Sequence, residues 1–427
     1  MKEIEVSFSA SICLEGMDIN ALEERLLALR QQAFQSILIE VLERMEANVL
    51  AAERLCPYCG SLMRPNGTNA RRLQTLLGEI TFKRARLRCA GCGKESSPLD
   101  DVLGLAPRDK CTLGVRERAL WAATEVSYEK AESFLAKFTS LAVSHGSIHR
   151  MAVEEGLRLL AIDTQEREAV LADGRRVPEP AVGPDRVYVQ VDSTGVHRRD
   201  THHPMDCKVG IIFSKKALVS KNRIALIDKY AYASMENAEQ FGEHFMLECA
   251  KRGVFKASEV IFVSDGAHWI KHLQKQHLPK AVYVLDPWHL EKSLRETLGI
   301  EADRQVDHLM NLAWQGKPQQ LLDRLTRRAR HLKDREKASQ IFELCQYIAN
   351  NREGIENLTN LAAAGSGPVE KQIDTLVCRR LKQRGMSWYK PTSHALLRLR
   401  LLKLNNQWDK YWAERTGTNT AALTHFH

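Results

Sequence analysis

Two short cysteine motifs constrain this sequence more than any other feature. The first is CPYCG at residues 56–60 and the second is CAGCG at residues 89–93, each a Cys-x-x-Cys pair followed by glycine. Four thiolates from two such pairs are the usual ligands of a tetrahedral structural zinc ion. We therefore predict one Zn²⁺ bound by Cys56, Cys59, Cys89 and Cys92. Because protein ligands fill all four positions, this zinc is not expected to be catalytic.

The segments around the cysteines predict a small module. Between the two motifs, LGEITFKRARLRC alternates as a β-strand does and is strongly basic, so residues 56–111 are predicted as a zinc ribbon of the kind that often contacts nucleic acid. Residues 1–55 are predicted to hold a long amphipathic helix from about residue 20, begun by a capping box of Asn20 and Glu23. This helix either packs on its own chain or dimerises.

Composition limits the class of protein. The chain has 427 residues, 44% of them apolar, which is ordinary for a globular protein of several domains. A net charge of +9 is compatible with a polyanionic partner. The first residues include acids and no long apolar run, and no stretch has 18 apolar residues, so we expect neither a secretory signal nor a membrane partner. Ten cysteines in so long a chain suggest reduced thiols and a cytoplasmic location.

The middle of the chain is predicted to be helical and then irregular. Residues 112–163 indicate a helix, a short break and a second helix beginning near Ser144 or Ser147, which is the size of a helix-turn-helix. His145, His149 and Arg150 are candidates to face DNA, and an all-helical spacer is the alternative. Residues 164–186 are rich in proline, glycine and charge and are predicted as a linker.

From residue 187 the pattern changes to that of an α/β domain, predicted to continue to residue 427. The segments predicted as strands are VYVQVDSTGVH, CKVGIIFS, RIALIDKYAYA, SEVIFVS and AVYVL. A helix is predicted in MENAEQFGEHFMLECAKRG, and another begins at the DPWHL that follows the last strand. Residues from about 295 to 362 are helical and charged, and are predicted as a helical insertion.

Three acids stand out in this domain. Asp192 closes the apolar run VYVQV and Asp265 closes VIFVS, and the carboxyl ends of strands are common ligand sites, although both could be plain turn residues. Glu370 lies on the apolar side of a helix whose start is indicated by Ser366 and Pro368. Clustered carboxylates repel one another unless cations lie between them, and they suit hard ions. We therefore predict an Mg²⁺ or Mn²⁺ site completed by Glu370.

These motifs together carry a resemblance. Asp192 in VDSTGVH, Asp265 in SDGAHWI, the LDPWHL at residues 285–290 and GSGPVE with RLKQRGMSW resemble insertion-sequence transposases of the ISKra group, relatives of the Mutator-like DDE superfamily. The resemblance implies an RNase H-like fold with a helical insertion and catalytic acids at Asp192, Asp265 and Glu370. Asp286 and His289 match the superfamily's Asp-x-x-His element, which implies a catalytic His289. The alternative is that Asp286-Pro287 simply starts a helix.

The resemblance also implies the overall function. The chain is expected to be a multidomain α/β DNA transposase that binds the terminal inverted repeats of an element and performs two-metal-ion cleavage and strand transfer on double-stranded DNA, as a homo-oligomer associated with the nucleoid. Four basic residues beyond Glu370 are expected to hold phosphates, or else form a solvated helix face: Arg379, Arg380, Lys382 and Arg384. The rival interpretations are a nuclease without strand transfer and an inactive DNA-binding regulator.

Overall fold

The computed structural model describes residues 11, 18–51, 54–139, 141–221, 223–299, 302–361 and 367–417. The chain divides into two compact units, Met1–Ala152 and Val153–His427, which are described separately below. Together they form a mixed α/β protein in which helices predominate. None of the helices in the described ranges combines the length and the apolar character that a membrane crossing requires.

The first unit begins with a single long helix, α1 (Ile19–Leu50). Its N-cap is Asp18, whose carboxylate accepts a hydrogen bond from the backbone N–H of Ala21 at 2.8 Å. The predicted capping box of Asn20 and Glu23 is therefore wrong, because Asn20 already lies inside the first turn. The prediction missed the acid two residues earlier, which satisfies the same orphan N–H groups.

A β-hairpin follows this helix. It consists of β1 (Met63–Thr75) and β2 (Gly78–Cys89), paired antiparallel, with the short β3 (Glu95–Ser96) beside β2. The strand predicted at residues 77–89 is thus confirmed. The short helix α2 (Pro98–Leu103) follows the strands. Side chains of α1, the hairpin and α2 together form an apolar core: Leu42, Leu73, Ile80, Phe82 and Leu99.

Three helices complete the first unit and lead into the second: α3 (Leu113–Glu125), α4 (Tyr128–Phe138) and α5 (His145–Leu171). The break between α4 and α5 lies where the sequence predicts it. Helix α5, however, continues to Leu171, so the first part of the predicted linker is helical. The charge-rich composition of that part is that of an amphipathic helix surface rather than of a loop.

The second unit is built on a five-stranded mixed sheet. Chain order gives β4 (Arg186–Val196), β5 (Met205–Phe213), the separate hairpin β6 (Lys215–Ser220) and β7 (Arg223–Ile227), β8 (Tyr230–Ser234), β9 (Glu259–Ser264) and β10 (Val282–Leu285). The spatial order is β10-β9-β4-β5-β8. Strands β9 and β10 run parallel to β4, whereas β5 pairs antiparallel with β4 and β8 pairs antiparallel with β5.

One predicted strand is wrong in this sheet. The segment RIALIDKYAYA forms two strands, β7 and β8, instead of one. Asp228 between them adopts a left-handed backbone conformation with φ of 51°, which ends the extended chain and lets β8 join the main sheet.

Helices cover the sheet and extend beyond it. The helices α6 (Ala238–Lys251) and α7 (His268–His277) bury apolar side chains of β4, including Val187, Val189 and Val191. The helical region predicted from about residue 295 is confirmed and follows α8 (Pro287–Leu298). The remaining helices are α9 (Asp303–Trp314), α10 (Pro318–His331), α11 (Arg335–Asn350), α12 (Arg352–Glu356), α13 (Pro368–Ile373), α14 (Arg379–Leu381), α15 (Lys390–Leu404) and α16 (Trp408–Thr416).

Candidate metal sites

The four predicted zinc ligands come together in the first unit. Their sulfur atoms form one group, with Cys56 Sγ 3.6 Å from Cys92 Sγ and Cys59 Sγ 3.3 Å from Cys89 Sγ. Ligands at about 2.3 Å from a tetrahedral zinc lie about 3.8 Å apart, so the cluster is compatible with a structural zinc. Hydrogen bonds from the backbone and side chain of Ser61 lower the pKa of Cys59 to about 6, which favours the thiolate that binds metal.

The backbone of the first cysteine pair shows why glycine follows it. The N–H of Cys56 donates to the carbonyl of Ser61 at 2.8 Å, and the N–H of Gly60 donates back to the carbonyl of Cys56 at 2.9 Å. Gly60 has a φ of 72°, a conformation that glycine adopts without steric cost. The turn therefore holds both sulfur atoms on the same side.

The second pair repeats this arrangement. The N–H of Cys89 donates to the carbonyl of Lys94 at 2.8 Å, and that of Gly93 donates to the carbonyl of Cys89 at 3.1 Å, with a Gly93 φ of 70°. Two equivalent knuckles facing each other are what a four-thiolate site needs.

A second group of polar side chains lies on strand β4 of the second unit. Alternation along the strand puts Gln190, Asp192 and Thr194 on the face opposite the apolar core. Asp192 does not end the strand as predicted, because pairing with β5 extends β4 to Val196. Asp265 does follow the end of β9, and since Val191 pairs with Ser264, the two aspartates are next to each other across parallel strands.

The helix α13 brings Glu370 to this face. Its cap is Gly367, with a φ of 101°, and Pro368 occupies the first turn as predicted, whereas Ser366 lies outside the described residues. The N–H of Val369 donates to Oε1 of the buried Gln190 at 3.1 Å. Glu370 is the next residue, so this bond fixes its backbone beside β4. The apolar residues predicted to face inward are all buried: Val369, Ile373, Leu376, Val377 and Leu381.

The helix α8 supplies the third side chain. Asp286 is its N-cap and accepts a hydrogen bond from the N–H of Trp288 at 2.8 Å, with Pro287 in the first turn. The interpretation of Asp286-Pro287 as a helix start is confirmed. The first turn also carries His289, which points toward Asp192 and Glu370.

These three side chains converge on one point. Nε2 of His289 lies 3.8 Å from Oδ2 of Asp192 and 3.7 Å from Oε1 of Glu370, and one ligand atom from each residue falls within 4.8 Å of the others. His289 Nε2 and both carboxylate oxygens of Glu370 are buried without a hydrogen-bond partner. Buried polar atoms without partners are costly, so the group fits a cation bound by two carboxylates and an imidazole.

Acidic side chains outnumber basic ones around Asp192, His289 and Glu370, and they shift the pKa values of the latter two. Burial, followed by the nearby Asp286 and Asp192, raises the pKa of Glu370 to about 8. Burial alone would lower the pKa of His289, but the nearby carboxylate of Asp192, with Asp286 and Asp265, outweighs burial, so this pKa is raised. Burial likewise raises the pKa of Asp265. The site therefore favours bound positive charge, whether protons or a metal ion.

Asp265 does not belong to the converging group. Its Oδ1 accepts a hydrogen bond from the N–H of Ala267 at 2.8 Å, and its backbone carbonyl accepts one from the hydroxyl of Tyr347 at 2.7 Å. In the described structure His289, rather than Asp265, joins Asp192 and Glu370. A metal-binding role for Asp265 remains a prediction.

The basic residues predicted to hold phosphates have different surroundings. Lys382 is exposed and donates to Thr194 Oγ1 at 2.9 Å, two residues along β4 from Asp192, and Arg384 is also exposed. Arg379 is exposed and pairs with Asp374 at 2.8 Å.

Arg380 is placed differently and corrects one prediction. It is only 1% exposed, so the prediction that it contacts phosphate is wrong. Its guanidinium lies 5.2 Å from the ring centre of Trp388, which is itself buried and donates to the carbonyl of Leu381. Trp388 therefore fills the core rather than stacking on a base.

The candidate DNA-facing residues of the first unit lie at the start of α5. Arg150 is exposed and donates to Ser147 Oγ at 3.2 Å. His145 contacts Glu132, and His149 packs edge-on against Tyr128. Contact between these residues and DNA remains a prediction.

Comparison with known proteins assigns nearly the whole chain to one family. The model of an uncharacterised protein family (UPF0236) matches residues 12–415. A "UPF0236 protein in vanSb 3'region" of Streptococcus gallolyticus is 22% identical over 407 residues, which cover 92% of this chain and 85% of the relative.

Relatives in Caldanaerobacter subterraneus subsp. tengcongensis cover slightly less. "UPF0236 protein TTE0610/TTE0881/TTE1053/TTE2432" is 24% identical over 347 residues, 78% of this chain and 68% of the relative. Another UPF0236 protein of the same organism is 23% identical over 341 residues, with the same coverage, and its name joins eleven locus designations, from TTE0033 to TTE2212.

Proposed function

The chain belongs to the uncharacterised family UPF0236, and we propose that it is a DDE-type DNA transposase that binds element ends and performs metal-dependent DNA cleavage and strand transfer. The proposed reaction is phosphoryl transfer on double-stranded DNA with Mg²⁺ or Mn²⁺. The proposed location is the nucleoid, and two element ends require at least two protomers.

One observation carries this proposal. Asp192, His289 and Glu370 come from a strand and two helices far apart in sequence, and their ligand atoms converge. Nε2 of His289 and both carboxylate oxygens of Glu370 are buried there without a hydrogen-bond partner among the described residues. An ion-pair network that only stabilised the fold would pair these atoms with cationic side chains or hydrogen-bond donors. Carboxylates with one imidazole suit a divalent ion, and the carboxylates favour Mg²⁺ or Mn²⁺.

The surrounding sheet supports an RNase H-like interpretation of this unit. Asp192 projects from the central strand β4, and Asp265 follows the end of its parallel neighbour β9. Glu370 reaches the same face from a later helix. Acids on adjacent parallel strands near their carboxyl ends form the crevice in which α/β sheets bind ligands.

Each residue has a proposed task. Asp192, Glu370 and His289 would hold a divalent ion, and Asp265 beside them is the proposed ligand of a second one. Ions held there would stabilise the charges on the attacking and leaving oxygens of a phosphoryl displacement. Lys382, which reaches Thr194 on the same face, would contact the DNA backbone near the reacting phosphate.

The relatives add support of a different kind. A UPF0236 protein whose name joins eleven locus designations is what one gene repeated through a genome would produce. Transposition would produce repetition of this kind, whereas a housekeeping nuclease or a regulator needs no such copies.

The test is an assay with purified full-length protein and labelled duplex DNA from the ends of the element, in Mg²⁺ and separately in Mn²⁺. We expect strand cleavage at the element end and joining of that end to a target plasmid, with both products absent in Asp192→Asn. Cleavage without joined product would favour the nuclease. Binding without cleavage in either metal would favour the regulator and contradict the proposal.

A further inference from the structure

The hairpin of β1 and β2 has one side that the cysteine cluster does not use. Met63, Leu87 and Cys89 pack with Cys56 in a small core around the cysteine sulfur atoms. The strand positions next to these buried residues are Arg64 on β1 and Arg88 on β2, which point to the other side of the hairpin. These two arginines are directly opposite each other across the hairpin, and both are exposed.

The charge of this pair is unusual within the hairpin. Like charges directly opposite on antiparallel strands are destabilising. Nevertheless, within the described residues neither arginine forms a salt bridge, although Arg88 lies directly opposite Glu95 across β2 and β3. Two positive charges side by side would be balanced by an anion from outside the protein.

The other arginines of β1 and β2 show that the chain neutralises such charges where it can. Arg71 and Arg84 both pair with the buried Asp100. Arg72 pairs with Glu79 at 2.6 Å, and Arg86 pairs with Glu95. Within the described residues, Arg64 is therefore the arginine of the two strands with no acid beside it, and Arg88 shares Glu95 with Arg86, so this end of the hairpin keeps an excess of positive charge.

We infer that this hairpin binds the phosphate backbone of double-stranded DNA through Arg64 and Arg88. The strands that carry them lead directly into the cysteine knuckles at Cys89 and Cys56, so both side chains start from a backbone that a bound metal would fix. Guanidinium groups bind phosphate oxygens in a bidentate manner, which lysine cannot do. This inference rests on the proposed function and assigns one contact surface to its DNA substrate.

Charge favours duplex DNA, rather than a protein, as the molecule that binds Arg64 and Arg88. The chain has a net charge of +9, and the exposed Lys94 directly precedes Glu95, which lies opposite Arg88, with the Nζ of Lys94 3.5 Å from the ring centre of Tyr58. Arginine pairs on a rigid hairpin hold the regularly spaced charges of a backbone without reading its sequence. Binding through this surface should therefore be similar for different DNA sequences.

The experiment measures binding of the full-length protein to a fluorescent duplex by anisotropy, at several salt concentrations. The variants are Arg64→Ala, Arg88→Ala and the double variant. Two controls remove one positive charge from the same hairpin: Lys83→Ala, and Arg72→Ala, whose arginine is neutralised by Glu79. Zinc content and the thermal unfolding midpoint of each variant are measured in parallel, so that loss of the fold is recognised.

We expect the double variant to keep its zinc and unfolding midpoint and to bind DNA about tenfold more weakly near 100 mM salt. The plot of log affinity against log salt should become shallower by about 0.9 for each phosphate that the variant no longer neutralises. The controls should change neither value appreciably. If wild type and double variant had the same DNA affinity and the same salt slope, the proposed role of Arg64 and Arg88 would be overturned. The proposed function would still stand in that case if the wild type cleaved element-end DNA. Weakened binding of duplex RNA with unchanged binding of DNA would overturn the choice of partner.

Discussion

The backbone N–H of Val369 donates a hydrogen bond of 3.1 Å to Oε1 of Gln190, and this bond joins two of the three elements that carry candidate ligands, strand β4 and helix α13. Gln190 lies two residues before Asp192 on β4, and Val369 lies one residue before Glu370 on α13. The amide of Gln190 thus fixes the distance between the two carboxylates. It acts as a positioning residue, because it supplies no ligand atom in the converging group.

We predict that Gln190→Met, which keeps the size and removes the hydrogen bond, lowers the affinity for Mn²⁺ about tenfold, as loss of an outer-shell partner does at other metal sites. Calorimetric titration with Mn²⁺ measures this. The matched control is Gln274→Met, since Gln274 is also buried and donates to the carbonyl of Leu278 beyond the end of α7. If both variants lower the metal affinity equally, Gln190 has no particular positioning role.

The zinc prediction concerns the first unit. Freshly purified protein should contain about one zinc per chain, and Cys56→Ser combined with Cys59→Ser should contain almost none, because thiolates are the ligands. The first unit of that variant should unfold at lower temperature. Cys111→Ser, which alters a cysteine of the same unit outside the cluster, should keep its zinc. Elemental analysis that finds no zinc in the wild type contradicts this account.

Features of the fold that depend on residues close together in the sequence could be predicted, whereas features that depend on contacts between distant segments could not. The cysteine knuckles, the strand at 78–89 and the start of α8 follow from motifs a few residues long, and all are where the sequence indicates. The strand predicted as VYVQVDSTGVH matches β4, but Asp192 was taken as its end because DSTG resembles a turn, whereas pairing of Val196 with Met205 keeps the chain extended. Tertiary pairing overrides local preference here.

The candidate site was predictable only in part. Its acids could be identified from strand ends and from the inward face of a helix, but the contact of His289 with Asp192 depends on how α8 lies on the sheet. Arg380 was misassigned because its basic side chain was taken as exposed, although at about 100° per residue it falls on the same side of the helix as the buried Val369 and Leu376. Gln190 was overlooked, although its alternation with Asp192 on β4 was a usable signal.

The boundary of the second unit gives a prediction about fragments. Arg398 on α15 donates two hydrogen bonds, of 2.5 and 3.0 Å, to the carboxylate of Asp163 on α5. On the same helix, Gly156 lies so close to the backbone of Ala395 that a side chain at position 156 would not fit. A fragment of residues 153–427 should therefore fold, whereas one of residues 187–427 should be unstable. Removing one partner of such a pair costs about 3–5 kcal/mol.

Circular dichroism and thermal unfolding of the two fragments measure this difference. Asp163→Asn within residues 153–427 provides the intermediate case, because it removes the charge and keeps the helix. Equal stability of the two fragments would contradict the assignment of the end of α5 to the second unit.

A buried histidine predicts how stability depends on pH. Burial lowers the pKa of His394 to about 4, and its Nε2 lies 3.3 Å from Ser234 Oγ. The unfolded chain takes up a proton near pH 6.5 and the folded chain only near pH 4, so the unfolding free energy should fall as pH drops through this window. Each pH unit should cost at most about 1.4 kcal/mol for this group.

Chemical denaturation of the 153–427 fragment between pH 7 and pH 4 measures this slope. His394→Gln cannot take up the proton and should show a shallower decline, although it is less stable at pH 7. His244 contributes in the same direction in both proteins, since burial also lowers its pKa. Parallel curves for the two proteins would show that His394 does not cause the decline.

The central claim is that Glu370 faces inward because it binds a divalent ion used in DNA cleavage. The most direct test is the rate at which full-length Glu370→Gln cleaves labelled element-end DNA in saturating Mg²⁺ or Mn²⁺, with DNA affinity and unfolding midpoint measured on the same preparation. Loss of metal stabilisation worth several kcal/mol predicts a rate at least about 100-fold below wild type. DNA affinity should not change, and the unfolding midpoint should be equal or higher because repulsion among the acids falls. A folded Glu370→Gln protein that cleaves at the wild-type rate would contradict the account.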